Sequence, residues 1–234
     1  MANIVITGAS RGIGFETALA LATSDNRIAA IARSKDGLDT LRETAIRHSP
    51  GCILHTLPFD LVHGDYRENL LPSIHEKLGQ VDILINNAGA LVNKPFEDTS
   101  AAEFTELLQH NFIGHVNMIQ SLIPLMPPGS HIVNIGSMGG FQGSVKFSGL
   151  TAYSASKAAL HALTECLAGE LADKAIKINC LALGSAQTEM LAKAFPTYKS
   201  PITAAEMGGY IAGFAMTGHQ FFNGKVLPVA VTTP

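Results

Sequence analysis

Tyr153 and Lys157, with Ser137 upstream, are the residues whose types and spacing could together move a proton. A tyrosine and a lysine four residues apart lie on one face of a helix, one turn from each other. A phenol normally keeps its proton until about pH 10, and a neighbouring ammonium group lowers that pKa by favouring the phenolate. The pair therefore predicts a general acid/base that works near neutral pH. Taken alone, the same spacing also occurs on solvated helix faces.

A glycine-rich turn directly follows the first predicted strand. It reads Thr7-Gly8-Ala9-Ser10-Arg11-Gly12-Ile13-Gly14 and opens a helical pattern. Its glycines allow a tight turn in which backbone N–H groups approach a pyrophosphate, and the positive end of the following helix points at that charge. The strand before the turn and the helix after it are the context that this motif requires. The predicted cofactor contacts of the turn are Gly8, Ser10, Arg11, Gly12, Ile13 and Gly14.

Short β-branched runs alternate with longer helical patterns, which is typical of a parallel sheet. The predicted strands are 3–7, 27–32, 52–57, 82–86, 131–136, 175–181 and 225–229. The predicted helices are 12–23, 35–48, 65–78, 101–125, 153–172 and 203–216. We therefore predict a single α/β domain over residues 1–234, with a seven-stranded parallel sheet flanked by helices on both faces. Its cofactor half is about 1–136, and its catalytic and substrate half is about 137–234.

Composition and charge narrow the class of protein. Of the 234 residues only 15% are charged and 47% are apolar, as expected for a sheet buried on both faces. The net charge of −3 comes without a run of like charges, which argues against nucleic-acid and membrane-surface partners. Three scattered cysteines and nine dispersed histidines predict no metal site. The start leaves no room for a signal peptide and no apolar run could span a membrane, so we expect a cytoplasmic protein.

Two predicted helices are hydrophobic on more than one side. Residues 101–125 carry more apolar positions than one stripe holds, and residues 153–172 carry a set of alanines that permits close approach. A helix that is apolar all round is buried on all sides. Deep packing within one chain would explain both helices, and so would contact in a homodimer or homotetramer.

The glycine turn, with its G-x-x-x-G-x-G spacing, resembles the TGxxxGIG motif of the short-chain dehydrogenase/reductase family. The resemblance covers nearly the whole chain, and its other landmarks come in the family's order. These are Asp60-Leu61 after the third strand, Asn86-Asn87-Ala88-Gly89, Asn111, Ser137 and the Tyr153/Lys157 pair. The resemblance implies a doubly wound Rossmann fold and an NAD(P)-dependent oxidoreductase that acts on CH–OH or C=O groups.

The resemblance also implies a role for each catalytic residue. Tyr153 would give a proton to the carbonyl oxygen, and Ser137 would hold that oxygen. Lys157 would lower the pKa of Tyr153 and bind the nicotinamide ribose, while Asn111 would support a water in a proton relay. Asn86 and Asn87 could contact the cofactor or mainly tie neighbouring strands together. The further predicted cofactor contacts are Asp60, Leu61, Asn87, Ala88, Gly89, Tyr153, Lys157, Gly184 and Thr188.

The end of the second strand bears on the choice of cofactor. Where NAD-dependent members of the family carry a carboxylate, this chain has Ala32, followed by Arg33 and Ser34. An arginine can bind a 2′-phosphate through charge-assisted hydrogen bonds, and Arg11 resembles a second basic residue of NADP-preferring relatives. We therefore predict NADP(H). Alternatively, both arginines are merely solvated loop residues.

Two segments depart from the family pattern near the predicted substrate pocket. Leu183 replaces the usual proline before Gly184, which removes a fixed φ and predicts a more mobile loop. The interval from Ser137 to Tyr153 is 16 residues, a few more than is common in the family. Its aromatic residues could line the pocket or pack in the core, and the short segment 190–200 predicts a fairly open pocket. The predicted substrate contacts are Ser137, Met138, Phe141, Phe147, Leu191 and Phe195.

The function that follows is an NADPH-dependent reductase of ketones or aldehydes, a carbonyl reductase type with a small-molecule substrate. A 3-oxoacyl thioester reductase is the alternative within the same class. A cofactor-binding sensor without turnover would not need Tyr153, Lys157 and Ser137 together, and a purely structural dimerisation module would not need the glycine turn.

Overall fold

All seven predicted strands form one parallel sheet in the order β3-β2-β1-β4-β5-β6-β7. The computed structural model describes residues 1–23 and 25–231, so residue 24 and residues 232–234 of the predicted domain lie outside the described part. The strands are β1 (Asn3–Thr7), β2 (Arg27–Ala32), β3 (Ile53–Pro58), β4 (Ile83–Asn86), β5 (His131–Ser137), β6 (Lys177–Leu183) and β7 (Val226–Val229). The helices are α1 (Gly12–Ala22), α2 (Lys35–His48), α3 (Leu71–Leu78), α4 (Ala101–Leu108), α5 (Gly114–Leu122), α6 (Thr151–Glu170), α7 (Glu189–Ala194) and α8 (Ala204–Thr217).

Side chains of successive strand residues enter opposite layers of the core. In β1, Ile4 and Ile6 join the cluster under α1, α2 and α8, whereas Val5 joins the cluster under α3 and α5. This alternation follows from the pleat of a strand, and burial on both faces explains the apolar strand sequences. The predicted doubly wound Rossmann fold, with helices on both faces of the sheet, is confirmed.

The long helix predicted over residues 101–125 is interrupted. A π-helical turn at Gln109–Ile113 separates α4 from α5, and a 3₁₀ turn at Ile123–Leu125 follows α5. Likewise, the helix predicted over residues 65–78 begins as a π turn at Tyr66–Leu70, with Asp65 accepting from the backbone N–H of Arg67 and Glu68. One added residue in a turn leaves the apolar periodicity almost unchanged, so the pattern did not reveal these turns.

The strand order places a crevice between β1 and β4. From β1 the chain builds outward through β2 and β3, and it then returns to add β4 on the other side of β1. The segments that follow β1 and β4 therefore run in opposite directions along the edge of the sheet. Their divergence opens a space above the carboxyl ends of these two strands. This space is where the predicted site residues lie.

Helices α1 and α8 pack closely because Gly208 has no side chain. A Cβ on Gly208 would lie 2.7 Å from Glu16 Cβ and 2.7 Å from the Thr17 backbone nitrogen. A Cβ on Gly209, the next residue of α8, would meet nothing within 4 Å. The two neighbouring glycines of α8 thus provide a matched pair of positions at which to test this packing.

We expect Gly208→Ala to lower the free energy of unfolding by about 1–3 kcal/mol, because overpacking forces α1 and α8 apart. Gly209→Ala should instead leave this free energy unchanged or raise it by up to about 1 kcal/mol, since alanine favours the helix. Urea unfolding of both variants beside the wild type measures the difference. Equal effects of the two substitutions would contradict the close packing of α1 on α8.

Candidate active site

A cavity of about 850 Å³ runs along the carboxyl ends of the strands, from the glycine turn after β1 to the start of α6. Nearly all the predicted site residues line it. They are Gly8, Ser10, Arg11, Gly12, Ile13, Gly14, Arg33, Ser34, Asp60, Leu61, Asn87, Ala88, Gly89, Ser137, Met138, Phe147, Tyr153, Lys157, Gly184, Thr188, Leu191 and Phe195. Asn111 and Phe141 do not line it.

The glycine turn forms one end of the cavity and leaves backbone N–H groups available there. Gly8 and Gly12 have positive φ angles of 69° and 59°, which residues with a side chain rarely adopt. A Cβ on Gly14 would overlap the Asn87 amide and the Gly8 carbonyl. At the start of α1 no side chain caps the helix, so its first N–H groups have no side-chain partner. This end therefore fits the pyrophosphate of a dinucleotide.

Thr7, to which the sequence assigned no chemistry, joins the glycine turn to the segment after β4. Its buried hydroxyl oxygen accepts from the backbone N–H of Asn87 at 3.0 Å and of Ala88 at 3.1 Å. The Asn87 amide in turn donates to the carbonyl oxygens of Thr7 and Gly8. Thr7 is thus a positioning residue that holds the two loops of the crevice together.

Asn86 ties strands together and does not line the cavity. Its amide donates to Asn134 Oδ1 at 3.0 Å, and the Asn134 amide donates to Thr164 Oγ1 on α6 at 2.9 Å. All three side chains are fully buried. Of the two readings of Asn86 that the sequence left open, the structure favours strand tying, whereas Asn87 both ties the loops and borders the cavity.

The end of the cavity beside the glycine turn also carries Arg33, Ser34 and Asp60. Partial burial would raise the pKa of Asp60, but hydrogen bonds from the backbone N–H of Val62 and His63, with the charge of Arg33, lower it below its usual value. The Asp60 carboxylate is therefore ionised at neutral pH. Ser34 also caps α2 by accepting from the Gly37 N–H at 3.2 Å. Arg33 is exposed and lines the cavity.

Ser137, Tyr153 and Lys157 meet at the opposite end. Ser137 ends β5, while Tyr153 and Lys157 lie one turn apart near the start of α6. A Cβ on Gly139 would lie 3.4 Å from Ser137 Oγ and 3.8 Å from Tyr153 Cδ1, so both side chains border the same glycine. The Lys157 ammonium is buried and donates to the Ile135 carbonyl oxygen at 2.8 Å.

The charge environment of this end differs from the one the sequence suggested. Burial raises the pKa of Tyr153, and the opposing effect comes from a hydrogen bond with Ser137. Burial also lowers the pKa of Lys157 to about 8. The predicted lowering of the Tyr153 pKa by Lys157 is not seen, because the ammonium lies 6.0 Å from the phenol ring centre and is directed to the Ile135 carbonyl.

Asn111 lies behind the cavity wall, within the π turn between α4 and α5. Its side-chain oxygen accepts from the Ala90 N–H at 2.7 Å, and its amide donates to the Ala90 carbonyl and to Ser156 Oγ, each at 2.9 Å. Asn111 therefore fastens the loop after β4 to α6. A Cβ on Gly89 would lie 3.1 Å from Asn111 Oδ1 and 3.6 Å from Lys157 Nζ, so both polar groups lie beside Gly89.

Phe141, which the sequence placed either in the pocket or in the core, packs away from the cavity. Its ring meets the buried His161 edge-on, with ring centres 6.4 Å apart. Phe147, the second aromatic residue of this segment, borders the cavity and is half exposed.

Helix α7 covers part of the cavity where the sequence predicted a short open segment. Thr188 caps the start of α7, because its side chain accepts from the Leu191 N–H at 3.1 Å. A capping residue followed by the helix-favouring run Glu189–Ala194 is a signal from which this helix could have been predicted. At its far end, the Asn93 amide donates to the Ala194 carbonyl at 2.8 Å. The lining residues that sequence reasoning missed include His110, Leu91, Leu150, Met190 and Tyr198.

Over residues 1–23 and 25–231 no helix is long and apolar enough to cross a membrane. In the same part of the chain, no three histidine, cysteine or acidic side chains are grouped as metal ligands would be.

Comparison with known proteins agrees with this geometry. The model of the short chain dehydrogenase family matches residues 2–199. The chain is 33% identical to the ketoacyl reductase HetN of Nostoc sp. over 184 residues, 78% of this chain and 62% of that protein. The crystal structure of a dehydrogenase/reductase from Sinorhizobium meliloti superimposes with a TM-score of 0.87 at 28% identity, covering 98% of this chain and 93% of that one. A short chain dehydrogenase from Burkholderia cenocepacia, solved in complex with NADP, has a TM-score of 0.85 at 25% identity, with coverage of 97% and 95%.

The family match, the fold and the matching landmarks agree along most of the chain. The chain belongs to the short-chain dehydrogenase family, whose members are NAD(P)-dependent oxidoreductases that act on CH–OH or C=O groups.

Proposed function

We propose that this protein is an NADPH-dependent reductase that converts a ketone or aldehyde to an alcohol, with Tyr153 as the proton donor. The observation that carries the proposal is the meeting of Ser137 and Tyr153 beside Gly139, at the end of a cavity that begins at the glycine turn. One cavity therefore joins a place for a dinucleotide to a pair of hydroxyl groups suited to a carbonyl oxygen.

Each side chain at this end has a chemical reason for its role. NADPH, when bound, supplies the hydride that reduces the carbonyl carbon. Ser137 Oγ accepts from the Gly139 N–H at 3.1 Å, which leaves its O–H able to donate to the carbonyl oxygen. The raised pKa of Tyr153 keeps its phenol protonated at neutral pH, as a proton donor requires. Lys157 would hold the nicotinamide ribose through a hydrogen bond from its ammonium group.

Support for NADPH comes from the residues that line the cavity beside the glycine turn. Ala32 ends β2 and lines the cavity without a carboxylate, and Arg33 follows it at the same wall. A 2′-phosphate placed there would gain a guanidinium partner. The related Burkholderia cenocepacia structure, solved with NADP, points the same way.

A 3-oxoacyl thioester reductase is the second candidate, favoured by the similarity to the ketoacyl reductase HetN.

We also propose that the protein is cytoplasmic and that it forms a homodimer or homotetramer. The outward faces of α4 and α6 support contact between subunits, because Leu108 on α4 and the alanines Ala155, Ala158 and Ala162 on α6 are exposed.

Tyr153→Phe should lower kcat by about 10²–10⁴-fold, because the phenol donates the proton. The Kd for NADPH should change by no more than about threefold, since the ring remains. Stopped-flow NADPH oxidation with a ketone and fluorescence titration with NADPH measure the two quantities. Tyr210→Phe, an exposed tyrosine of α8, is the control and should behave as the wild type. Undiminished turnover by Tyr153→Phe would rule out Tyr153 as the donor.

Arg33→Asp should reverse the cofactor preference, because a carboxylate repels a 2′-phosphate and accepts from a 2′-hydroxyl. We expect the ratio of the Kd for NADPH to the Kd for NADH to rise by at least about tenfold, which corresponds to about 1.4 kcal/mol. The exposed Arg42→Asp on α2 controls for net charge and should leave the ratio nearly constant. If the ratios for both variants match the wild type, Arg33 does not contact the 2′-phosphate.

The buried charge of Lys157 predicts a pH dependence of stability that needs no substrate. Its pKa is about 8 in the folded chain and 10.5 in a model compound, so the unfolded chain binds more protons between these values. Stability attributable to Lys157 therefore rises with pH above 8, by at most about 1.4 kcal/mol per pH unit. The unfolding free energy of the wild type minus that of Lys157→Met should therefore become more positive from pH 8 to pH 10. A difference that does not change between pH 8 and pH 10 would contradict the burial of the ammonium group.

A further inference from the structure

Residues 185–203 form a strap across the reacting end of the cavity, fastened at its base and at both ends of α7. At the base, Ser200 Oγ donates to the Ser185 carbonyl at 2.9 Å, and the Gln187 N–H donates to the Ile202 carbonyl at 2.8 Å. At the start of α7, Glu189 lies 3.6 Å from the Arg11 guanidinium, and at its end Ala194 accepts from Asn93. The strap is therefore a closed loop that covers the site.

The surfaces that this strap and the opposite wall offer to a substrate are mainly apolar. From the strap, Met190, Leu191 and Phe195 line the cavity. From the opposite wall, Leu91, Phe147 and Leu150 do so. The hydroxyl groups of Tyr198 and Ser185 pair with each other at 3.0 Å. The part of a substrate that is enclosed here would move from water into contact with apolar side chains. This transfer favours an apolar group and disfavours an anion without a partner.

The charged side chains that line the cavity do not provide an anion site at this end. Within the described residues, the lining cations are Arg11, Arg33 and Lys157, besides His110. Arg33 borders the cofactor end, Arg11 is already paired with the Glu189 carboxylate at 3.6 Å, and Lys157 is directed to the Ile135 carbonyl. His110 lies 3.9 Å from the Glu106 carboxylate, and the remaining charge on the strap that borders the cavity is the acidic Glu189.

We infer that the substrate is an uncharged carbonyl compound with a bulky apolar group, bound as a free molecule and not as a carboxylate or a coenzyme A thioester. This inference rests on the proposed function. The reaction balances as one hydride from NADPH to the carbonyl carbon and one proton from Tyr153 to the oxygen, with Tyr153 regaining its proton from solvent. The selectivity arises because a carboxylate or phosphate at this end would lose water without gaining a cation.

The test compares compounds that share one medium-chain 3-oxoacyl group. They are its ethyl ester and its N-acetylcysteamine thioester, both uncharged, and its free acid and its coenzyme A thioester, both anionic. With NADPH, kcat/KM for each uncharged compound should exceed that for each anionic compound by at least about tenfold. Equal or faster reduction of the coenzyme A thioester or the acid would overturn the inference while confirming reduction of a carbonyl.

Binding of the same four compounds to the complex of the protein with NADP⁺, measured by calorimetry, separates an error in the inferred substrate class from an error in the proposed function. Tighter binding of the uncharged compounds without any turnover would support the inference and refute the reductase. Equal binding of charged and uncharged compounds, or binding of none, would overturn the inference.

Leu191→Arg provides a gain-of-function test, since it places a cation on the cavity side of the strap. This variant should reduce the free acid at least about tenfold faster relative to the ester than the wild type does. Ala192→Arg adds the same charge at the next, exposed residue, which does not line the cavity. It should keep the wild-type ratio. An unchanged ratio in a folded Leu191→Arg protein, or the same change in both variants, would overturn the inference.

Discussion

Thr7 and Asn87 join the two loops between which the crevice opens. Thr7 ends β1 and accepts two backbone N–H groups from the segment after β4, while the Asn87 amide returns two hydrogen bonds to the glycine turn. These contacts are possible because Gly8 and Gly14 let backbone and amide approach where a side chain would collide. Without this close approach the glycine turn would not face the cavity, and the dinucleotide end would lose its shape.

From that junction, one cavity connects an end whose charged side chains are in contact with solvent to an end whose ionisable side chains are buried. Arg33 and Asp60 border the first, where solvent moderates their charges, whereas Tyr153 and Lys157 lie at the second, where burial shifts both pKa values toward the neutral forms. The buried end therefore favours a protonated phenol, and the lysine retains its interaction with the Ile135 carbonyl. A proton donor and a low-dielectric surrounding are thus supplied by the same packing of α6 against β5. The strap above them adds apolar surface and little charge.

Most of the architecture could be predicted from the sequence. The seven strands, the parallel order typical of alternating strand and helix, and the glycine turn all depend on local patterns within a few residues. The errors lie where a local pattern carries no signal. The π turn at Gln109–Ile113 leaves the apolar periodicity almost unchanged, and Asn111, which contacts Ala90 and Ser156, lies within it. Helix α7 was missed although Thr188 offers a cap, because a helix of six residues has little periodicity to detect.

The amino-acid sequence alone determined the fold class, the place for a pyrophosphate and the residue types that could move a proton, since these follow from periodicity, glycine conformation and side-chain chemistry. Only the tertiary structure decided which groups those side chains meet. It directs Lys157 to the Ile135 carbonyl and raises the pKa of Tyr153, it turns Phe141 toward His161, and it gives Thr7 a positioning role. Burial and distance between residues remote in the chain set these outcomes, and neither quantity is written in the spacing of residues along the sequence.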